Sequence, residues 1–229
     1  MQNIKVIGID PAPSKKSTIF DGKEFYQKDC NELKKYLEEI KFEKGNVLIC
    51  WDAPLSFDEE SGKFYIRKIE SFFARQKLPK GISVLGYARC PHWAISQYLL
   101  GYPKISNFEK DFNPPFELIF DKENIRKSVT EVHPAVAIWL LLKDKKEWKN
   151  EKWEYKKDNT ILEKVKNTLT IGDEIKSNIK TDDYLDAYIA WKLGRDWIDG
   201  KGDILGDNST GSFLLPYNDF TIEEIKTQK

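Results

Sequence analysis

Four aspartates stand where a carboxylate is costly unless something answers its charge. Asp10 closes the apolar run Ile4-Lys5-Val6-Ile7-Gly8-Ile9, and Asp52 closes Val47-Leu48-Ile49-Cys50-Trp51. A proline follows each within two residues, in Asp10-Pro11 and Asp52-Ala53-Pro54, so each run ends abruptly. Asp183 and Asp186 lie three apart in Thr181-Asp182-Asp183-Tyr184-Leu185-Asp186-Ala187 and share a face if the segment is helical. The continuation Ala187-Tyr188-Ile189-Ala190-Trp191 is apolar nearly all round, which predicts a buried helix. Like charges gathered in a buried place need raised pKa values or divalent cations. An all-oxygen donor set favours hard ions, Mg²⁺ or Mn²⁺. Singly, the acids have ordinary alternatives. Asp10 and Asp52 would serve as turn residues bonding the following backbone, and Asp182 and Asp183 would complement a helix dipole. Asp186 lies beyond that first turn and fits the alternative poorly.

Glu131 and His133, two apart at the end of another apolar segment and before Pro134, share a face of a strand. A histidine there can donate to a metal-bound carboxylate or simply cap its own strand end. Groups able to hold a phosphate backbone are Lys15 and Lys16 in the first loop, and Arg67, Arg75 and Arg89 further on, with His133 as a further substrate-binding candidate. Residues 143–157 add seven lysines against four acids, with Trp148, Trp153 and Tyr155 interleaved. Such aromatics can stack on unpaired bases, or pack inward from a solvated helix. Only two histidines occur, His92 and His133, which excludes histidine-rich metal sites and H-E-x-x-H proteases. There is no G-x-S-x-G elbow or phosphate-cradling Walker loop.

The elements that must position these groups follow from patterning. Residues 4–9 and 47–51 read as strands buried on both faces. Ser17–Phe20 and Glu24–Gln27 flank Asp21-Gly22 as a hairpin, and Leu33, Tyr36, Leu37 and Ile40 mark one face of a helix over 31–41 with Asn31 as its N-cap. Residues 55–128 mix aromatics, prolines and charges, with helical stretches near 64–76 and 92–100, and read as an insertion between the fourth and fifth strands. Val129–His133 gives the fifth strand, Pro134 opens a helix, and Asp182–Arg195 gives another, entered through Thr181. A glycine-rich loop, 200–211, leads to a covering strand at Ser212–Pro216. The first strand and that at 47–51 are expected to be parallel, and open α/β sheets bind ligands beyond the carboxyl ends of such strands.

Composition bounds the rest. The 229 residues suit a single domain with a large insertion, and 37 basic against 37 acidic residues exclude a constitutively basic nucleic-acid binder. Cys30, Cys50 and Cys90 form no Cys-x-x-Cys and read as free thiols of a reducing compartment. The longest apolar stretch, Ala135–Leu142, is far short of the ~20 residues of a membrane span. The first apolar segment is too short for a secretory signal. A cytoplasmic protein without membrane contact is expected.

Gly8-Ile9-Asp10-Pro11 together with Asp183-x-x-Asp186-Ala187 resembles the first and last active-site motifs of the RuvC family of Holliday-junction resolvases, within the RNase H-like superfamily. More specifically, the order of Gly8-Ile9-Asp10, Trp51-Asp52-Ala53-Pro54, Glu131-Val132-His133-Pro134, Asp183 to Ala187 and Gly211-Ser212-Phe213-Leu214-Leu215-Pro216 resembles the predicted-nuclease family catalogued as domain of unknown function 429. The resemblance implies an α/β, RNase H-like mixed sheet of five strands in the order 3-2-1-4-5, flanked by helices. It also implies a metal cluster from Asp10, Asp52, Asp183 and Asp186, with Glu131 close by. The run Pro11 to Ser17 departs from that family's glycine pair before a tryptophan, and the insertion's Arg67-x-x-Glu70 and Arg75 match its Arg-x-x-Asp…Arg element only loosely. RNase H itself takes one acid from the first helix, where Glu38 or Glu39 stands here. Asp52 is preferred because its strand-end position matches the resolvases.

The chemistry so implied is divalent-metal-dependent phosphodiester hydrolysis. Two ions ~4 Å apart would activate a water and stabilise the leaving oxygen, with Asp10 bridging, Asp52 and Asp186 each holding one ion, and Asp183 completing the shell or orienting the water. Two alternatives remain: a non-catalytic phosphate- or nucleotide-binding module of the same fold, and a metal-dependent hydrolase of a small phosphorylated metabolite. Nucleic acid and a small phosphorylated ligand are accordingly the two partners to weigh.

Overall fold

The computed structural model describes residues 4–56, 67–84, 92–103 and 114–227. Its centre is a six-stranded sheet, mostly parallel and flanked by helices. The strands are β1 (Ile4–Asp10), β2 (Ser17–Phe20), β3 (Phe25–Lys28), β4 (Asn46–Trp51), β5 (Glu117–Leu118) and β6 (Lys127–Glu131), in the order β3-β2-β1-β4-β6-β5. β1, β4, β6 and β5 run parallel, while β2 and β3 form the antiparallel hairpin at one edge. The expected five-stranded order 3-2-1-4-5 is thereby corrected. A two-residue strand from the region read as an insertion pairs outside β6, matching Glu117 to Ser128 and Leu118 to Val129. Two residues carry no alternation of their own, so only the partner strand defines them.

Local chemistry explains the hairpin. Asp21 Oδ1 accepts the backbone N–H groups of Lys23 and Glu24, both at 2.9 Å, around Gly22, whose φ of +96° favours glycine. Helix α1 (Cys30–Phe42) starts earlier than its apolar face suggests. Its N-cap is Asp29 rather than Asn31, because Asp29 and Glu32 exchange backbone and side-chain bonds of 2.9 Å in a capping box.

Alternation along β1 and β4 feeds two cores, one on each face of the sheet. Ile7, Ile9, Ile49, Trp51 and Val129 meet Leu33, Leu37 and Ile40 of α1, with Ile95, Leu99 and Leu100 of α3 (His92–Leu100). Val6, Leu48 and Cys50 belong to the other face, with α4 (Pro134–Leu142) and α7 (Asp182–Ile198). Helix α7 lies close on β1 because glycines stand where it crosses. A Cβ at Gly8 would collide with the Ala187 carbonyl and the Trp191 amide, and one at Gly194 with Cys50 Sγ. Those contacts set how far Asp186 stands from the ends of β1 and β4.

The glycine-rich segment expected as a loop is largely strand. β7 (Gly202–Asp207) pairs antiparallel with β8 (Gly211–Pro216), and Leu214 bridges to Val132 at the end of β6. Its glycines and acids have weak strand propensity, and pairing with the apolar β8 imposes the conformation. Residues 143–157 form no regular helix beyond a 3₁₀ turn at Lys146–Trp148, and Trp148, Trp153 and Tyr155 are buried. The remaining helices are α2 (Lys68–Arg75), α5 (Asn159–Thr168), α6 (Asp173–Asn178) and α8 (Ile222–Lys226). No described helix is long and apolar enough to cross a membrane. Cys30 and Cys50 are free thiols, and Cys90 lies outside the described residues.

Candidate functional site

β1, β4 and β6 finish together, with Ile9 beside Trp51 and Trp51 beside Glu131. The Asp52 N–H donates to the Ile9 carbonyl at 2.9 Å, so Asp10 and Asp52 prolong neighbouring strands past that pair. Alternation sends both carboxyls to the face of Val6, Gly8, Leu48 and Cys50, the face that α7 covers. Adjacent strands are ~4.8 Å apart. Both acids line a cavity of about 480 Å³ that Lys15, His92, His133 and Lys156 also border.

Among the described residues no hydrogen bond or ion pair reaches either carboxylate. Burial, then the charges of Asp52 and Asp186, push Asp10 well above the usual carboxylate range. Burial and Asp186 raise Asp52 to about 8, against partial relief from Lys156. Among the described residues three buried polar atoms are unpartnered: Thr18 Oγ1, Thr130 Oγ1 and His133 Nδ1. Thr18 is fully buried directly across from Asp10, and its hydroxyl makes no hydrogen bond. His133 Nδ1, in a residue of the cavity wall packed edge-on against Phe213 at 5.0 Å, makes none either. Burial and the cations Lys156 and Arg67 lower the His133 pKa to about 3, so its imidazole is neutral at physiological pH.

The other two aspartates are already answered. Asp186, 1 % exposed, accepts the Tyr155 hydroxyl on Oδ1 at 2.7 Å and the Lys156 ammonium on Oδ2 at 2.6 Å. Withdrawal from water disfavours the Lys156 ammonium, but Asp186, the Tyr155 phenol, Asp52 and Asp10 more than offset this, and its pKa ends well above the ordinary lysine value. Lys15 bonds both oxygens of Asp183, at 2.7 and 2.6 Å. Asp182, at the start of α7, also borders the cavity, and burial and Asp186 raise its pKa.

Glu131 shares the parity of Trp51 and Val129, so it leaves the sheet on the opposite side from Asp52. It accepts Arg67 Nη2 on Oε1 at 2.5 Å, and Arg67 Nη1 and the Leu55 N–H on Oε2 at 2.7 and 2.8 Å. Arg67, 2 % exposed, also donates from Nε to Glu70 at 2.7 Å and from Nη1 to Ser56 Oγ at 3.0 Å. Of the groups expected to hold phosphate, Lys15, Arg67 and His133 line the cavity, Arg67 with its donors engaged by protein. Lys16 and Arg75 are exposed outside the cavity lining, and Arg89 lies outside the described residues.

Among the described residues no group of three or more His, Cys, Asp or Glu side chains is placed to hold a metal ion. The four aspartates expected to form one ligand set divide instead into an unanswered pair, Asp10 and Asp52, and a lysine-paired couple, Asp183 and Asp186. The carboxylate oxygens of the first pair are donors of the kind a hard divalent cation takes. The engaged oxygens of the second couple do not fit a four-carboxylate, two-ion cluster. Sequence reasoning did not single out Tyr155 and Lys156. Among seven lysines in 143–157, only the neighbouring inward aromatics Trp153 and Tyr155 set Lys156 apart.

Fold and cavity together define an α/β protein with a carboxylate-lined site at the carboxyl edge of its parallel strands. The family described as Protein of unknown function (DUF429) matches residues 115–210. That match supports the resemblance to this family over the stretch carrying Glu131, His133, Lys156, Asp183 and Asp186, while Asp10 and Asp52 fall outside it. No curated protein and no solved structure matches the chain.

Proposed function

We propose that the cavity is the active site of a divalent-metal-dependent phosphodiester hydrolase of RNase H-like type, with Asp10 and Asp52 as the protein ligands of the ion. The carrying observation is this pair of strand-end carboxylates, in register, facing a cavity without a hydrogen-bond or ion-pair partner among the described residues. Negative potential only partly relieved by Lys156 attracts a cation, and the raised pKa values of both acids express it. A bound Mg²⁺ or Mn²⁺ would supply Lewis-acid polarisation of a phosphoryl oxygen and a more acidic water. The chain supplies the rest. Lys15, partly exposed at the cavity rim, offers an ammonium to an incoming phosphate by exchanging it for Asp183. The neutral His133 presents Nδ1 for a hydrogen bond in the wall.

A hydrolase of a small phosphorylated metabolite is the second reading, favoured by the cavity's volume of about 480 Å³, which is in the range of small-molecule sites. Both readings are tested by incubating the wild type, Asp10→Asn and Asp52→Asn with Mn²⁺ or Mg²⁺ and a panel of substrates. The panel spans single-stranded and duplex DNA, RNA, bis(p-nitrophenyl) phosphate, nucleotides and sugar phosphates. Metal-dependent cleavage of the diesters, lost in both folded variants, is expected. Cleavage of monoesters alone would select the metabolite reading. No turnover of any member, or activity indifferent to both substitutions, would overturn catalysis at this site and leave a binding module.

A further inference from the structure

We propose that Lys156 is a built-in cation occupying the place of a second metal ion, so that the site accepts a single divalent ion. The inference rests on the reading of Asp10 and Asp52 as metal ligands. Charge gives the first argument. Lys156 is ion-paired with Asp186 and its field also reaches Asp52 and Asp10, so part of the negative charge that a second ion would offset is already offset.

Geometry gives the second. A second ion would have to use Asp186, and both Asp186 oxygens are engaged, by an ammonium at 2.6 Å and a phenol at 2.7 Å. Consecutive residues of one segment deliver these two groups, and that segment is anchored. Trp153 and Tyr155 are buried, the Trp153 N–H donates to the Lys80 carbonyl at 3.2 Å, and the Asp158 N–H donates to the Glu154 carbonyl at 2.9 Å. Lys156 is 45 % exposed as a side chain, yet its Nζ meets a carboxyl that is 2 % exposed. Lys15 differs, being 58 % exposed on an open loop. Lys15 is therefore the exchangeable cation and Lys156 the fixed one. Asp10 and Asp52, whose carboxylates meet no partner among the described residues, are where the single ion sits.

Counting bound Mn²⁺ tests this without any substrate. Metal-stripped wild type, Lys156→Met, Lys156→Gln and Asp10→Asn are titrated calorimetrically, with free Mn²⁺ followed by electron paramagnetic resonance and folding by circular dichroism. Expected counts are one ion for the wild type, two for each folded Lys156 variant, and none for Asp10→Asn. Two ions on the wild type, or one or none on a folded Lys156 variant of a wild type that binds one, would overturn the role of Lys156 while leaving the metal reading intact. No binding to the wild type at millimolar Mn²⁺ would overturn the metal reading, and this inference with it. If neither Lys156 variant folds, the wild-type count alone decides: one ion upholds the proposal and two overturn it.

Discussion

Glu70 and Glu131 on one side, and Asp10 and Asp52 on the other, border the same cavity, but among the described residues only the first pair meets a cation directly. Arg67 is as buried as the two glutamates and bonds both, and the Leu55 amide completes the shell of Glu131. Its planar fork suits two carboxylates at once. Among the described residues the aspartates meet cations only through diffuse fields, from Lys156, whose ammonium is committed to Asp186, and, for Asp10, also from Lys15, bound to Asp183. The contrast separates carboxylates whose desolvation is repaid within the protein from carboxylates that no described residue answers directly, the kind of perturbed group that marks a candidate site.

Breaking the answered set should cost most. Arg67→Met leaves Glu70 and Glu131 buried without their cation, and a loss of about 3–5 kcal/mol is expected in urea unfolding. A loss under 1 kcal/mol would show that the network is not structural. Next, Gly8→Ala forces a methyl into the α7 backbone and should cost about 3 kcal/mol, at the upper end of overpacking penalties. It should also weaken Mn²⁺ binding by moving α7 away from the strand ends, and unchanged Mn²⁺ binding would detach the site from that crossing.

Relieving the unanswered pair should act in the opposite direction. Asp52 has a folded-state pKa of about 8, above the ~3.9 of an unfolded chain, so the folded state binds more protons between those values. Stability of the metal-stripped protein is expected to fall as pH rises from about 4 to about 8. Asp52→Asn should flatten that slope and stabilise the protein at pH 8. A wild-type curve already flat across that window would remove the contrast on which the site rests. The smallest effect belongs to the partly solvated pair. Lys15→Ala should change stability by under about 1 kcal/mol, because Lys15 is mostly exposed. A larger loss by thermal unfolding would make this lysine structural.

Much of the frame was legible in sequence because its signals are local. The apolar runs before Asp10 and Asp52, the Asp21-Gly22 turn, Pro134 at a helix start and the apolar continuation of Asp186 each fix an element within a few residues. Asp10 and Asp52 were readable as a pair because two parallel strands ending in register bring their next residues together. Less local features were misread. β5 exists only through pairing with β6, β7 only through β8, and the start of α1 was set by a capping box outside its apolar stripe.

Pattern alone places some carboxylates at strand ends and others on a buried helix, since period and apolar runs specify burial before any contact forms. Which of them are answered depends on how distant segments come together in the fold. Arg67 and Glu131 are 64 positions apart, Tyr155 and Asp186 31, and Lys15 and Asp183 168. No periodicity links residues at such separations. Which cation meets which acid is settled by the closeness of α7 at Gly8 and by the turn of the chain that carries Lys156.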